Sequence, residues 1–240
     1  MRLYRTEGGW AVVRTVRDAC GEPMRVLKVG GVFQSATYFG ERRFDLPFEY
    51  MRAFDRLFDA ERGGFQVRSV LAIGGGGCSY PKHLAATRPD VQVDVVERDG
   101  RIAQIARKHF FVGEFEGAGR LSVVVDDGVR FLQGAGTCYD AIVVDAFDGR
   151  SLDERFLDSD TLDAAKARLS EGGMCVLNVV CDGGADGAAY LQRVMQALAG
   201  AFAHVNAVFA TDEMLSDRDN FVVIATDGDY DFEGAFSLDA

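Results

Sequence analysis

Residues that could bind a small molecule follow four predicted strands of this chain. The first strand leads into glycines 74–77, the second ends on Glu97, the third on Asp126 and Asp127, and the fourth on Asp145. A glycine turn lets the backbone approach a ligand closely. A carboxylate at the tip of the second strand, about 20 positions after the glycines, can accept hydrogen bonds from both hydroxyls of a ribose. This spacing favours a nucleoside site.

The four strand ends are expected to meet in one cleft, because ligands of open parallel sheets bind at the carboxyl ends of the strands. The glycines alone are weak evidence, since any tight strand-to-helix turn can use them. The dinucleotide pattern G-x-G-x-x-G is also incomplete, with Ser79 or Tyr80 where the third glycine would fall. A single Asp after a strand is commonly a turn former or a helix cap, but four such ends in succession favour a binding site.

The elements that carry these ends alternate between strand and helix throughout residues 67–205. This alternation predicts an α/β fold with a mainly parallel sheet and helices on both faces. The strands are predicted at 70–73, 91–96, 121–125, 139–144 and 174–180. The helices are predicted at 79–86, 100–110, 129–132, 160–169 and 188–202. Two further segments, 205–210 and 220–226, are expected to close the sheet as an antiparallel pair.

The N-terminal part differs in composition from the rest of the chain. Paired glycines punctuate short runs rich in β-branched and aromatic residues, which predicts three or four antiparallel strands before residue 45. A helix is expected at 47–58, with its apolar side chains on one face. We therefore predict a small β-rich N-terminal domain at 1–46 and a nucleoside-binding domain at 47–240.

Composition narrows the choice of partners. The chain has 240 residues, and 37 acidic against 26 basic side chains give a formal net charge of −11. Phosphate backbones would be repelled on average, so nucleic acid is not expected as a partner. A cationic or neutral small substrate fits better. The charge is also consistent with a role in solubility alone.

Cysteines and apolar runs indicate the compartment. The five cysteines are odd in number and widely spaced, which favours reduced thiols in the core over disulfides, and no metal site is expected. The charged start MRLYRTEGGW lacks the apolar stretch of a signal peptide, and the apolar run 174–181 is too short to cross a bilayer. A cytoplasmic location without a membrane partner is therefore expected.

The motifs together resemble a known family over nearly the whole chain. The chain is similar to the spermidine synthases (polyamine aminopropyltransferases), a branch of the Rossmann-like methyltransferase superfamily with a small N-terminal β-domain. The similarity lies in Gln34 after VGGVF, in PFEYMRAF, in the glycine loop, and in VVERD, VVVDDGVRFL and VVDAFDGRS. The last motif is the most specific, because the family keeps its catalytic aspartate there. DAFDGRSLDERF, followed later by LNVV, is closer to the divergent spermidine-synthase-like members.

The resemblance implies a role for each matching residue. It makes Asp145 the base that faces the amine. For the donor, it implies contacts from the loop glycines Gly74, Gly76 and Gly77, from Glu97 to the ribose, and from Asp126 and Asp127 to the adenine. For the amine, it implies contacts from Gln34, Tyr50 and Asp148. Phe48 and Tyr50 both lie close to the position of the family tyrosine. Asp153 and Glu154 are expected to add negative charge that attracts a cationic amine.

One departure from the family pattern bears on the donor. Family members have G-G-G-D-G, whose Asp grips the aminopropyl amine of decarboxylated S-adenosylmethionine, and this chain has Gly77 followed by Cys78. Three functions therefore stay open. They are aminopropyl transfer from that donor to a polyamine such as putrescine, methyl transfer from S-adenosylmethionine, and non-catalytic binding of a nucleoside or polyamine. The resemblance also implies a homodimer.

Overall fold

The computed structural model describes residues 1–149, 151–211 and 218–237. Its first elements are β1 (Arg2–Thr6), β2 (Gly9–Arg17), β3 (Pro23–Val29), β4 (Val32–Thr37) and α1 (Glu49–Ala53). The middle of the chain forms β5 (Ser69–Ile73), α2 (Ser79–Thr87), β6 (Gln92–Glu97), α3 (Gly100–His109), α4 (Gly113–Glu116), β7 (Leu121–Val125), α5 (Gly128–Gln133) and β8 (Tyr139–Val144). The last part forms β9 (Phe147–Asp148), β10 (Ser151–Leu152), α6 (Ser159–Ala167), β11 (Leu169–Cys181), α7 (Ala185–Ala199), β12 (His204–Phe209), β13 (Asp219–Thr226) and β14 (Ala235–Ser237). Three 3-10 helices cover Gly40–Phe44, Phe54–Gly63 and Glu154–Leu157.

The chain divides into two compact units. The first unit comprises Met1–Pro47 and Gly74–Gly128, and the second comprises Phe48–Ile73 and Val129–Ala240. The N-terminal strands are thus grouped with the segment that carries the glycine loop and Glu97. Whether residues 1–46 form a domain of their own stays a prediction.

In the first unit, β1, β2, β3 and β4 form an antiparallel sheet in sequence order, which confirms the predicted N-terminal strands. The β3–β4 hairpin turns at Gly30 and Gly31, both at positive φ, as a two-residue turn between right-twisted strands requires. Apolar residues of β2 and β3 share a core with α3, formed by Ala11, Val13, Leu27, Ile102, Ile105 and Phe110. The first unit also contains the parallel pair β6 and β7.

In the second unit, six strands form a sheet in the order β14, β12, β13, β11, β8, β5. The pairs β5 with β8 and β8 with β11 are parallel, and β12 with β13 is antiparallel as predicted. The register aligns Ile73 with Val144 and Val144 with Leu177. Asp145 and Asn178, which follow Val144 and Leu177, therefore emerge at one edge of this sheet. The predicted mixed α/β fold with a mostly parallel sheet is confirmed.

The helix predicted at 47–58 is the clearest local difference. α1 ends at Ala53, and a 3-10 helix continues from Phe54 to Gly63. Its buried Asp59 lies 3.7 Å from the Arg56 guanidinium and 2.8 Å from that of Arg62. Residues three apart eclipse each other in a 3-10 helix, so this geometry lets both arginines reach one carboxylate. The short strands β9, β10 and β14 were also not predicted.

The cysteine prediction is correct in part. All five cysteines are free thiols, and Cys78, Cys175 and Cys181 are buried. Cys20 and Cys138 are exposed, so they are not core residues as expected. Both lie in turn or loop segments, where the sequence around them gives little apolar cover. Over the described ranges, no helix is long and apolar enough to span a membrane.

Candidate active site

The glycine loop of the first unit turns sharply from strand to helix. Gly74 and Gly76 have φ of 91° and 50°, in the left-handed region where glycine carries no steric cost. Cys78, just before α2, shares this conformation with φ 54°. The Gly74 N–H donates to the Val96 carbonyl at 2.9 Å, and the Cys78 N–H donates to the Gly75 carbonyl at 2.6 Å. Two of the predicted loop glycines are therefore required by the backbone.

The Glu97 carboxylate holds this loop in place. Its Oε2 accepts hydrogen bonds from the N–H groups of Gly75 at 3.1 Å and Gly76 at 2.9 Å, and its Oε1 accepts one from the Asp99 N–H at 2.9 Å. Burial raises the pKa of Glu97, although these three hydrogen bonds oppose the rise. A carboxylate has about four acceptor positions, so capacity for a ligand hydroxyl remains.

The end of β4 packs against the loop in the same unit. The Ser35 hydroxyl accepts a hydrogen bond from the Gly77 N–H at 2.8 Å, and the Ser79 hydroxyl donates to the Ala36 carbonyl at 2.8 Å. A Cβ at Gly76 would lie 3.2 Å from the Gln34 carbonyl oxygen. The backbone of Gln34 thus lies beside the loop, and the role of its side chain as an amine contact stays a prediction. Ser35 was not predicted, because only the fold brings it there.

Gly77 has no room for a side chain. A Cβ at this position would lie 2.7 Å from the Ser35 Cβ and 2.9 Å from the Phe110 Cδ1. The aspartate that the family carries here therefore does not fit the loop as it stands. Its neighbour Cys78 is 1% exposed, and burial raises the pKa of its thiol to about 12. The thiol is accordingly protonated and unreactive at neutral pH.

Asp126 and Asp127 follow β7 beside the backbone of Glu97. The Asp126 N–H donates to the Glu97 carbonyl at 3.3 Å, and the Asp126 side chain accepts from the Asp127 N–H at 2.7 Å. Both residues are partly exposed. The structure thus brings the glycine loop, Glu97 and this pair into one half of the predicted site. That all four strand ends share one cleft stays a prediction.

In the second unit, Asp145 follows β8 and is held by two neutral donors. Its Oδ1 accepts a hydrogen bond from the Asn178 Nδ2 at 2.8 Å, and the Tyr50 hydroxyl donates to the same carboxylate. Burial raises the pKa of Asp145 to about 6, whereas the hydrogen bonds from Asn178 and Tyr50 lower it. Burial has the larger effect. Asp145 is therefore a weak base that is largely ionised at neutral pH.

Tyr50, and not Phe48, reaches the aspartate. The Tyr50 ring stacks on Phe48 with centroids 6.0 Å apart and meets Phe54 edge to face at 5.7 Å. These contacts fix the ring, and its hydroxyl then points at Asp145. Burial and the negative charge of Asp145 raise the pKa of Tyr50 well above its usual range. Tyr50 is consequently a hydrogen-bond donor at neutral pH.

Asn178 and Asn220 were not predicted as site residues. Asn178 is 2% exposed in the middle of β11, and its Oδ1 accepts from the Asn220 Nδ2 at 3.0 Å. The one available signal was the polar residue inside the apolar run MCVLNVV. A buried polar side chain in a central strand needs partners, so its presence is informative.

The acidic loop after β8 differs from the expectation. Asp148 is exposed in β9. The Asp153 carboxylate lies 2.7 Å from the Arg155 guanidinium, and that of Glu154 lies 2.6 Å from Arg193. These ion pairs offset the negative field that Asp153 and Glu154 were expected to add. Among the described residues, no group of three or more His, Cys, Asp or Glu side chains could hold a metal ion.

Comparison with known proteins decides the family. A model of the spermine/spermidine synthase domain matches residues 59–226. The chain belongs to the spermine/spermidine synthase family. The family resemblance of the sequence is thereby confirmed. A polyamine aminopropyltransferase of Vibrio vulnificus is 30% identical over 141 residues, which are 58% of this chain and 44% of that protein. The chain thus spans less than half the length of this relative.

Two solved structures support the fold. A probable spermidine synthase from Corynebacterium glutamicum has a TM-score of 0.78 and 23% identity, and the match covers 96% of this chain and 81% of that one. Human methyltransferase-like protein 13, in complex with SAH, has a TM-score of 0.61 and 21% identity, covering 80% and 86%. At these identities the likeness concerns the fold, and it confirms the predicted methyltransferase-type architecture.

We predict that Gly77→Ala destabilises the protein by about 1–3 kcal/mol, the usual cost of forcing an extra carbon into a packed site. The methyl group would overlap Ser35 and Phe110. Gly183→Ala is the matched control, because a Cβ there has no neighbour within 4 Å. Urea unfolding of both variants measures the difference. Equal stability would contradict the packing of β4 and α3 against the loop.

We predict that Asp145→Asn stabilises the protein at pH 7. The folded-state pKa of about 6 lies above the ordinary aspartate pKa of 3.8, so the ionised form is disfavoured by folding. The associated stability is complete below pH 4 and is lost as the pH rises through 6. At about 1.4 kcal/mol per pKa unit, the gain at pH 7 is about 1–3 kcal/mol, and little gain is expected at pH 4.

Thermal unfolding at the two pH values measures this effect. Asp148→Asn is the control. Because Asp148 is exposed, this substitution should change the thermal stability little at either pH value. A gain for Asp145→Asn that is the same at pH 4 and pH 7 would show that burial of the charge is not its cause.

Proposed function

We propose that this chain transfers the aminopropyl group of decarboxylated S-adenosylmethionine to a small amine such as putrescine. The observation that carries the proposal is the Asp145 carboxylate, whose pKa of about 6 is set by burial against the donors Asn178 and Tyr50. A base with a pKa just below neutral is ionised and still accepts protons. Membership of the spermine/spermidine synthase family supports this choice of reaction.

The proposed reaction requires a base more than it requires activation of the sulfonium donor. The amine nitrogen attacks the aminopropyl carbon that is attached to the sulfonium sulfur. The bond between this carbon and sulfur breaks, and its electron pair stays on sulfur to give methylthioadenosine. The proton that the amine loses goes to Asp145. Amines are mainly ammonium ions at neutral pH, so orientation and proton removal are the protein's contribution. The rate should therefore rise as the pH rises through about 6.

The donor's nucleoside would bind in the first unit. Glu97 would accept hydrogen bonds from the ribose hydroxyls beside the glycine loop, while Asp126 and Asp127 would face the adenine. The hydrogen bonds from the loop amides to its carboxylate support this assignment, because they keep Glu97 beside the loop. The complex of human methyltransferase-like protein 13 with SAH supports a donor of the S-adenosyl class.

The acceptor would be a small cationic amine. The name of the Vibrio vulnificus relative, polyamine aminopropyltransferase, and the net charge of −11 support this class. Gln34 and Asp148 are proposed as further amine contacts, as in the family. We also propose a homodimer in the cytoplasm, and we propose no nucleic acid or membrane partner.

A second candidate is methyl transfer from intact S-adenosylmethionine. It is favoured by Gly77, where Ser35 and Phe110 leave no room for the carboxylate that would pair with the aminopropyl ammonium. An intact donor carries its own carboxylate, which a family-type aspartate would repel. Calorimetric titration with both donors and with methylthioadenosine ranks these candidates directly. Binding of methylthioadenosine without turnover of either donor would favour a non-catalytic binding protein.

We predict that Asp145→Asn lowers turnover about 10²–10⁴-fold, because it removes the proton acceptor. The affinity for methylthioadenosine should change little. Glu97→Ala should show the opposite pattern, with loss of nucleoside binding. Asp148→Asn, which alters an exposed charge, should raise the KM for the amine about 2- to 5-fold and leave kcat unchanged.

Steady-state formation of methylthioadenosine and calorimetric binding measure these variants side by side. If Asp145→Asn keeps full aminopropyl transfer, Asp145 is not the base. If Glu97→Ala binds methylthioadenosine as tightly as the parent does, the nucleoside assignment is wrong.

A further inference from the structure

Asn178 is a polar residue in an otherwise apolar buried strand. It lies in β11 between Leu177 and Val179, and it is 2% exposed. A buried amide is costly unless its donor and acceptor are both used. Here both are used, because its Nδ2 donates to the Asp145 Oδ1 at 2.8 Å and its Oδ1 accepts from the Asn220 Nδ2 at 3.0 Å.

Strand register explains why these three side chains meet. In the parallel pair of β8 and β11, Val144 lies opposite Leu177, so Asp145 and Asn178 come next on the two strands. In the antiparallel pair of β11 and β13, Val180 lies opposite Asn220. Residues 178 and 180 face the same side of the sheet, which makes Asn178 and Asn220 diagonal neighbours.

The amide of Asn178 has one favourable orientation between Asp145 and Asn220. The carboxylate only accepts hydrogen bonds, so the Asn178 NH2 group faces Asp145, and the NH2 group of Asn220 holds the Asn178 oxygen on the other side. A rotated Asn178 amide would place an oxygen against a carboxylate and an NH2 group against another NH2 group. Both contacts would be repulsive in a buried site, so one orientation is strongly favoured.

We propose that Asn178, oriented by Asn220, is a positioning residue that fixes the direction of the Asp145 carboxylate. It acts through Asp145 and is not itself a catalytic residue. A neutral amide suits this role, since a lysine or arginine at the same place would stabilise the ionised form and weaken the base. Tyr50 is the titratable group that also faces Asp145. The proposal rests on the proposed function only for the use of Asp145 as a base.

The test uses the full chain with Asn178→Leu, Asn220→Val and the double variant. Asn178→Leu keeps the branched shape of the side chain, with a larger volume, and removes the donor. It should lower kcat about 10- to 100-fold, which matches the loss of one hydrogen bond to a charged group, with a smaller change in the KM for the amine. The acid limb of the pH–rate profile should move to higher pH. Asn220→Val should change kcat and the acid limb of the pH–rate profile in the same directions, but by smaller amounts.

The double variant tests how the two asparagines are linked. If Asn220 acts only through Asn178, the double variant should be no worse than Asn178→Leu alone. If the fold-losses in kcat of the two single variants multiply in the double variant, the proposed chain of contacts is overturned. Asn206→Leu is the control, because Asn206 lies partly buried on β12 of the same sheet and is not part of the site. Its kcat and pH profile should equal those of the parent.

A second readout does not depend on catalysis. NMR titration of the 13C-labelled Asp145 carboxyl group should show a higher pKa in Asn178→Leu and a smaller rise in Asn220→Val. If the parent transfers no aminopropyl group but these shifts appear, the proposed function fails and the positioning role stands. If transfer is active while neither the Asp145 pKa nor the pH profile moves, the positioning role is overturned. Should Asn178→Leu fail to fold, Asn220→Val provides the same comparison.

Discussion

The role proposed for Asp145 requires a carboxylate that is kept from full hydration and still accepts a proton. Burial alone would favour its neutral form, and a cation beside it would favour the charged form too strongly. The second unit meets both requirements with neutral donors from two separate elements, Tyr50 and Asn178. The resulting pKa of about 6 follows from this balance. The aromatic contacts of Tyr50 and the strand register of Asn178 both contribute to this one carboxylate.

The positions of the acidic strand ends could be predicted from the sequence, because each follows an apolar run of strand length. The strand ends at Glu97 and Asp145 follow directly from apolar runs of known length. Ser35 could not be found this way, since it meets the Gly77 amide through packing between segments 42 residues apart. Asn178 gave a signal of its own, but its partner Asn220 depends on an antiparallel register that sequence patterns do not specify.

The glycine loop shows how a departure from a family pattern is accommodated. Where the family has aspartate and then glycine, this chain has Gly77 and then Cys78. Cys78 has a left-handed conformation, which costs about 1–3 kcal/mol for a residue with a side chain. Ser35 and Phe110 occupy the space beside Gly77. The glycine at position 77 is thus consistent with the packing of Ser35 and Phe110 against the loop, and Glu97 keeps its hydrogen bonds to the Gly75 and Gly76 amides.

The most direct test of the account is a competition between the two sulfonium donors. The purified chain would be incubated with equal concentrations of decarboxylated and intact S-adenosylmethionine and with putrescine, and the products would be identified by mass spectrometry. We expect aminopropylated amine and methylthioadenosine to form in equal amounts. N-methylated putrescine as the main product would contradict aminopropyl transfer, and the absence of any new amine would contradict catalysis by Asp145.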